Sequence, residues 1–397
     1  MVFKINLYIW RFNDTSMTKP QQQFLELLRS GLWGKPADAS IFQGEIDWNS
    51  ILRIAREQTV QVLVANGIET LPKELWPPKL IIFKLMEVRT KTAKMHLLLN
   101  SVLAKITTAL NAEGIPSVLL KGQGLAQNYL VPESRICGDI DLYVGEENID
   151  KAYEVIAALT DEPQEPEEGL TRKEMHRHIQ VSGVVVEVHR KTLSTYSARL
   201  ARFLKKWTYL NLNSHFQDGK LPSIAFNQTN INIPPVNYNA VYILYHTAHH
   251  MMRGGVGLRQ ICDWAIFLKK HHTEINPKEL KATLRRFHMA SLWKEFCIYA
   301  VNILGLDPQY LPLAPNKLAL TKGSKLILDD IFANGNFGHY RQPNNAPQET
   351  NIIKRKWRSS LILAKRTTNQ LKSFRGFALP YVMKYYINAI KRLYEGK

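Results

Sequence analysis

The chain has 397 residues, 45% of them hydrophobic and 22% charged, which excludes a disordered chain and provides for two or three folded domains. Its formal net charge of +18 predicts attraction to polyanions (nucleotides, nucleic acid or an anionic membrane surface) without choosing among them. Three scattered cysteines, Cys137, Cys262 and Cys297, exclude a disulfide framework and a cysteine zinc site, and they point to a reduced, cytoplasmic protein.

Met1 to Trp10 carries a short apolar patch interrupted by Lys4, with no small-residue cleavage site, so no signal peptide is expected; Met17 is an alternative start. Residues from about Pro20 to Leu71 repeat apolar positions at helical spacing, and Pro77-Pro78 breaks the pattern. A long helix is predicted from about Leu80 to Glu113, with Gly114 as its stop. Ile115-Pro116 restarts the chain in extended form. Ser117–Leu120 reads as a strand, Gly122–Leu130 as a helix leaving a glycine turn, and Asp139–Val144 as a second strand. Ile149–Leu159 reads as a helix, followed by an acidic, proline-bearing loop from Asp161 to Glu168. His176–Val181 and Val184–Arg190 form a hairpin around Ser182-Gly183. The chain is irregular from Leu210 through Pro234-Pro235, then helical from Asn237 to Lys270 and on to about Leu304. No run of about 18 apolar residues marks a spanning helix.

These elements give an α+β fold: a small mixed sheet embedded in a mostly helical chain. The expected divisions are a helical region at 17–112, the sheet core at 113–210, a second helical domain at 211–335 and a basic aromatic tail at 336–397.

The chemistry concentrates on the strands. Asp139 and Asp141 are two apart on a strand, so both carboxylates face the same side, with Ile140 and Leu142 on the other. Like charges held that close call for a divalent cation. Upstream, Lys121-Gly122-Gln123-Gly124 is a turn where missing Cβ atoms let backbone N–H groups approach a phosphate. In the hairpin, alternation puts Glu187 and His189 on one face of their strand, and a carboxylate on a strand beside Asp139 and Asp141 would be a third metal ligand. Together the parts point to metal-assisted phosphoryl or nucleotidyl transfer. Lys121 and Arg135 flank the turn and the metal strand, where they would neutralise charge on a triphosphate.

The segments Leu119-Leu120-Lys121-Gly122, Tyr129, Pro132, Arg135 and Asp139-Ile140-Asp141-Leu142-Tyr143-Val144, with the later His246, His250, Gly257-Leu258-Arg259 and Asp263, resemble a bacterial nucleotidyltransferase family. That family belongs to the nucleotidyltransferase superfamily of DNA polymerase β type, and the resemblance spans roughly residues 47–268. It implies transfer of a nucleoside monophosphate from an NTP substrate, with two Mg²⁺ ions on Asp139, Asp141 and Glu187. Glu187 would also help deprotonate the acceptor hydroxyl. Lys121, Gly122, Gly124, Arg135 and His189 would contact the nucleotide, and His246 and His250 would line the cleft between sheet and helical domain. The glutamine between the two glycines departs from the Gly-Gly or Gly-Ser usual at this turn. The acceptor stays open, with a small molecule or sugar phosphate ahead of a macromolecule.

Alternatives remain at this stage. His246, His249 and His250 have helical spacing that can bind zinc, but the acidic partner of a zinc helix is missing, and packing histidines compete. Arg259 and Asp263, four apart, read as an intrahelical ion pair or as substrate-facing groups. From residue 351 on, 12 Lys and Arg stand against Glu395 alone. There Trp357, Phe374, Phe377, Tyr381, Tyr385, Tyr386 and Tyr394 interleave with the cations, which suits a packed basic helix, peripheral docking on the anionic inner membrane surface or, less well, nucleic acid. Pro380 should kink any helix that runs through it. Two readings compete with catalysis on a small acceptor: a catalytically silent nucleotide-binding scaffold, and a toxin-like enzyme that nucleotidylates RNA or protein.

Overall fold

The computed structural model describes residues 17–162, 175–217, 219–253, 255–336, 367–384 and 386–387. Three short helices open it: α1 (Lys19–Trp33), α2 (Trp48–Glu57) and α3 (Gln61–Ile68). Thr18 caps α1, its N–H donating to Gln21 Oε1 at 2.9 Å, and Pro20 sits in the first turn, where its lost N–H has no helical partner to miss. Pro78 then caps α4 (Lys79–Ala112), a rod of 34 residues that ends at Gly114, φ +66°.

β1 (Val118–Leu119) and β2 (Asp139–Tyr143) flank the one-turn helix α5 (Gln123–Ala126), much shorter than the Gly122–Leu130 helix expected. After α6 (Ile149–Ala157), β3 (His176–Val181) and β4 (Val184–His189) form the expected hairpin, with Ser182 and Gly183 at φ +54° and +73°. That pairing of left-handed residues makes a two-residue link whose twist matches the strands. The sheet order is β1-β2-β4-β3, with β2 and β4 parallel and both outer pairings antiparallel. The α+β fold class is therefore the one expected.

Alternation divides the sheet into two faces. Ile140, Leu142, Val186, Val188, Ile179 and Val181 bury against Leu103, Ile106 and Leu110 of α4 and against Ile149, Ala152 and Ile156 of α6. The opposite face carries Asp139, Asp141, Glu187 and His189 and looks toward the later helices. These follow α7 (Ala198–Thr208), a π turn at Tyr209–Asn213 and α8 (Ser214–Gln217). The segment expected to be irregular holds a ribbon, β5 (Ser223–Phe226) and β6 (Thr229–Asn232). Its link, Asn227-Gln228, takes φ +47° and +66° without glycine, so the usual hairpin signal was missing.

α9 (Val236–Arg253), α10 (Leu258–His271), α11 (Pro277–Arg286), α12 (Ala290–Asn302) and α13 (Lys322–Asn334) complete the helical part. One hydrophobic core runs from Phe24 and Leu28 of α1 through Tyr245 and Trp264 to Phe296 and Ile331. The described part of the tail is a helix at 367–384 that passes through Pro380. Phe374, Phe377 and Tyr381 are buried there, and Tyr381 OH meets His249 Nδ1 at 2.8 Å. Those three aromatics belong to the core, while Leu379, Met383, Tyr386 and Ile387 are exposed. Trp357, Tyr385 and Tyr394 lie outside the described residues. No described helix is long and apolar enough to cross a membrane.

Candidate active site

β1 delivers the chain to the glycine turn beside β2: Leu120 N–H donates to Asp141 O at 3.0 Å. Gly122 then takes φ +54°, ψ −121°, a conformation closed to residues with a Cβ, and an added Cβ would stand 3.3 Å from Asp139 O. Gly122 therefore lines the cleft over Asp139 and Asp141. Gly124 does not share that place. The nearest atoms to a Cβ built on it belong to Ile233 and Leu119, at 3.5 Å, so its role is packing. The unusual Gln123 is buried and donates to Asn100 Oδ1 at 2.6 Å, with His96 Nδ1 3.2 Å away. It ties the turn to α4.

The parallel register pairs Asp141 with Glu187 and Tyr143 with His189. Residues paired directly across strands share a face, so Glu187 joins the two aspartates as expected. His189 is buried between them, its Nε2 3.1 Å from Asp141 Oδ1 and 3.3 Å from Glu187 Oε2. A carboxylate only accepts, so the Nε2 proton points at Asp141. Asp141, Glu187 and His189 bring ligand atoms within 4.8 Å of one another. Asp139 is not part of this close group but lines the same cleft as Asp141.

Charge in the site is unevenly met. Burial opposes ionisation of Asp141, but the Lys121 ammonium, 2.8 Å from Oδ1, and the His189 hydrogen bond hold its carboxyl well below the ordinary range. Burial likewise disfavours charged His189, and hydrogen bonds to Asp141 and Glu187 raise it nonetheless. Burial and the charges of Asp141 and Glu187 push Asp139 up. Lys121 and Arg259 also pull on Asp139, but they do not outweigh its burial and its acidic neighbours. A carboxyl group whose neighbouring cations do not outweigh its burial and like charges fits a divalent cation, and all three carboxyls offer the hard oxygen donors that magnesium takes.

α9 closes the cleft from above. Tyr242, His246 and Thr247 line it. Lys121 Nζ sits 3.2 Å from His246 Nε2, and His250 Nε2 lies 2.9 Å from the same atom. Burial, then Lys121, keep His246 far below its usual range and bring His250 down to about 3. The neutral His246 imidazole can therefore accept from the ammonium. Among the described residues this helix trio forms no metal-ligand set.

Arg135 lines the cleft, but its guanidinium already has a protein partner. It grips Asp263 of α10 bidentately, Nε and Nη2 each 2.8 Å from a carboxylate oxygen. Nη1 lies 2.8 Å from Cys137 Sγ, and Tyr129 OH donates to Asp263 Oδ1 at 2.7 Å. Both charges are buried, so Asp263 pairs across the fold rather than with Arg259 four residues away. Arg259 is left lining the cleft near Asp139; one Nη donates to Ile136 O at 2.6 Å, and its buried Nε has no hydrogen-bond partner among the described residues. The sequence left its role open; the structure puts it on the cleft wall together with Lys121.

A family model described as an uncharacterised nucleotidyltransferase matches residues 44–305, well over half of the chain. The protein belongs to that family. The family is one of transferases, and its match covers the glycine turn, the three carboxylates and α9 and α10. No curated protein and no solved structure matches the chain.

Sequence reasoning passed over His176 and His178, which lie on the site face of β3. Register sets His178 opposite Glu187 and His176 opposite His189. Their spacing of two, on a strand predicted to pair with that of Glu187, is the signal that could have found them.

Proposed function

We propose that the protein moves a nucleoside monophosphate from an NTP to a hydroxyl or phosphate of a small anionic acceptor. The observation that carries this reading is the in-register pairing of Asp141 with Glu187 beneath a glycine turn that can only be glycine at position 122. Asp139, Asp141 and Glu187 would hold magnesium, which, when bound, screens the triphosphate and polarises its α-phosphate. The free backbone at Gly122 lets the phosphates approach β2. Lys121 turns from Asp141 toward the phosphates once the carboxylates are neutralised, and Arg259 presents its unpartnered Nε to the same oxygens. Glu187, on the acceptor side of the trio, takes the proton of the attacking hydroxyl, and His189 orients it. The apolar wall of α9 at Tyr242 and Ile243 excludes water from the reacting phosphate.

The acceptor enters from a cavity of about 650 Å³ that opens past Tyr143, two residues along the same strand face. Arg190, Lys191, Arg202 and Lys205 wall it against Glu146 and Glu147, which favours a ligand carrying negative charge. A sugar phosphate meets that description.

The test is pyrophosphate release with each NTP, Mg²⁺ and a panel of phosphorylated sugars. The wild type should turn over at least one pair, and Asp139→Asn combined with Asp141→Asn should abolish turnover while the circular dichroism spectrum stays unchanged. Full turnover by the double variant would refute the proposed mechanism.

A further inference from the structure

The sheet register builds more than a carboxylate site. Across β2, β4 and β3, one row reads Asp141, Glu187, His178, and the next reads Tyr143, His189, His176. All of these residues face the same side, and Glu187, in the middle of the first row, has Oε1 toward His178 and Oε2 toward His176 and His189 of the next row. His178 Nδ1 is 3.9 Å from Glu187 Oε1, and His176 Nδ1 is 3.9 Å from Glu187 Oε2. The two rings meet edge to face, with centroids 4.7 Å apart. His176 Nδ1 is buried and has no hydrogen-bond partner among the described residues. A buried imidazole nitrogen without a partner is costly unless something fills the position.

The geometry points to a second metal site at His176, His178 and Glu187, taking a borderline transition ion of the zinc class and sharing Glu187 with the magnesium site. The three ligand atoms lie within 4.8 Å of one another. Zinc with bonds of about 2.0–2.1 Å sets tetrahedral ligands roughly 3.3–3.4 Å apart, so small side-chain rotations close the site. The donor set decides the metal. Two imidazoles and one carboxylate suit zinc and its neighbours, whereas magnesium prefers oxygen ligands and keeps its water. His178 is exposed and His176 half-buried, so the ion would reach the site from the open edge of β3 and keep a coordination position free. This inference does not rest on nucleotidyl transfer.

The experiment uses the full chain, stripped with a chelator and titrated with Zn²⁺ against a chromophoric competitor in excess Mg²⁺ and without NTP. One equivalent of Zn²⁺ should bind despite the Mg²⁺, and Co²⁺ in its place should give visible bands of nitrogen and oxygen ligation. His178→Ala, at an exposed position, should weaken Zn²⁺ by at least about tenfold, since even an outer-shell partner of a metal is worth that much. His249→Ala, on the other histidine cluster, should leave Zn²⁺ binding unchanged. No Zn²⁺ bound under excess Mg²⁺, wild-type affinity in a folded His178→Ala, or loss of the ion in His249→Ala would each overturn the site. Zinc binding with no NTP turnover would leave this inference standing while refuting the proposed reaction.

Discussion

Replacing Asp263 with alanine tests whether Arg135 is a structural ion or a substrate ligand. The substitution removes the acceptor of two guanidinium hydrogen bonds at 2.8 Å and of the Tyr129 hydroxyl at 2.7 Å, leaving the Arg135 charge buried without a partner. Breaking one side of such a pair costs about 3–5 kcal/mol, and an unsatisfied buried hydroxyl adds roughly 1–3 kcal/mol. Urea unfolding followed by tryptophan fluorescence should show that loss. A triple variant, Asp263→Leu with Arg135→Met and Tyr129→Phe, removes every stranded polar group and should recover most of the stability, because apolar replacement of a whole buried pair is often neutral. The recovered variant should also keep the wild-type KM for NTP. A loss below about 1 kcal/mol in Asp263→Ala would refute the reasoning, as would a triple variant no more stable than the single one.

Gly122→Ala should cost about 1–3 kcal/mol and depress pyrophosphate release, since the residue sits at φ +54° with Asp139 O 3.3 Å from the new methyl; Gly124→Ala, with neighbours at 3.5 Å, should leave both measurements nearly unchanged. The α9 imidazoles predict acid sensitivity. His250 is brought from 6.5 to about 3 by burial and Lys121, so it stays neutral in the fold while the unfolded chain takes up its proton; stability is complete above about pH 6.5 and falls as the pH drops toward the folded value, and His250→Asn should flatten that slope in urea midpoints between pH 7 and 5. Lys121→Met should tighten Mg²⁺, by removing the ammonium that competes for Asp141, and weaken NTP; calorimetry reads both, and unchanged affinities would place Lys121 outside the site.

The carboxylate half of the site was legible because alternation on a strand is a short-range rule. Asp139 and Asp141 share a face whatever the rest of the chain does, and the hairpin turn at Ser182-Gly183 announced β4 and with it Glu187. What sequence could not show was pairing at a distance. Arg135 lies 128 residues from Asp263, and nothing local distinguishes a guanidinium aimed at phosphate from one aimed at a buried carboxylate. The same limit hid the contact of Gln123 with Asn100, where an apparent departure from the family turn proves to be an anchor onto α4. In the tail, composition left packing and docking both open, and burial decides for three aromatics: Phe374, Phe377 and Tyr381 are buried, with Phe377 against Tyr245 and Tyr381 against His249 of α9.

The link at Ser182-Gly183 is only two residues long, and its length alone sets which side of the sheet β3 presents. One inserted residue would turn His176 and His178 over to the α4 side and bring Arg177 and Ile179 to the cleft, because strand side chains alternate. The pairing of β2 with β4 would be untouched. The two halves of this sheet face are thus separately heritable: a single codon gained or lost at one surface bend can erase the histidines from a lineage, whereas the acidic residues depend on strands brought together across the fold.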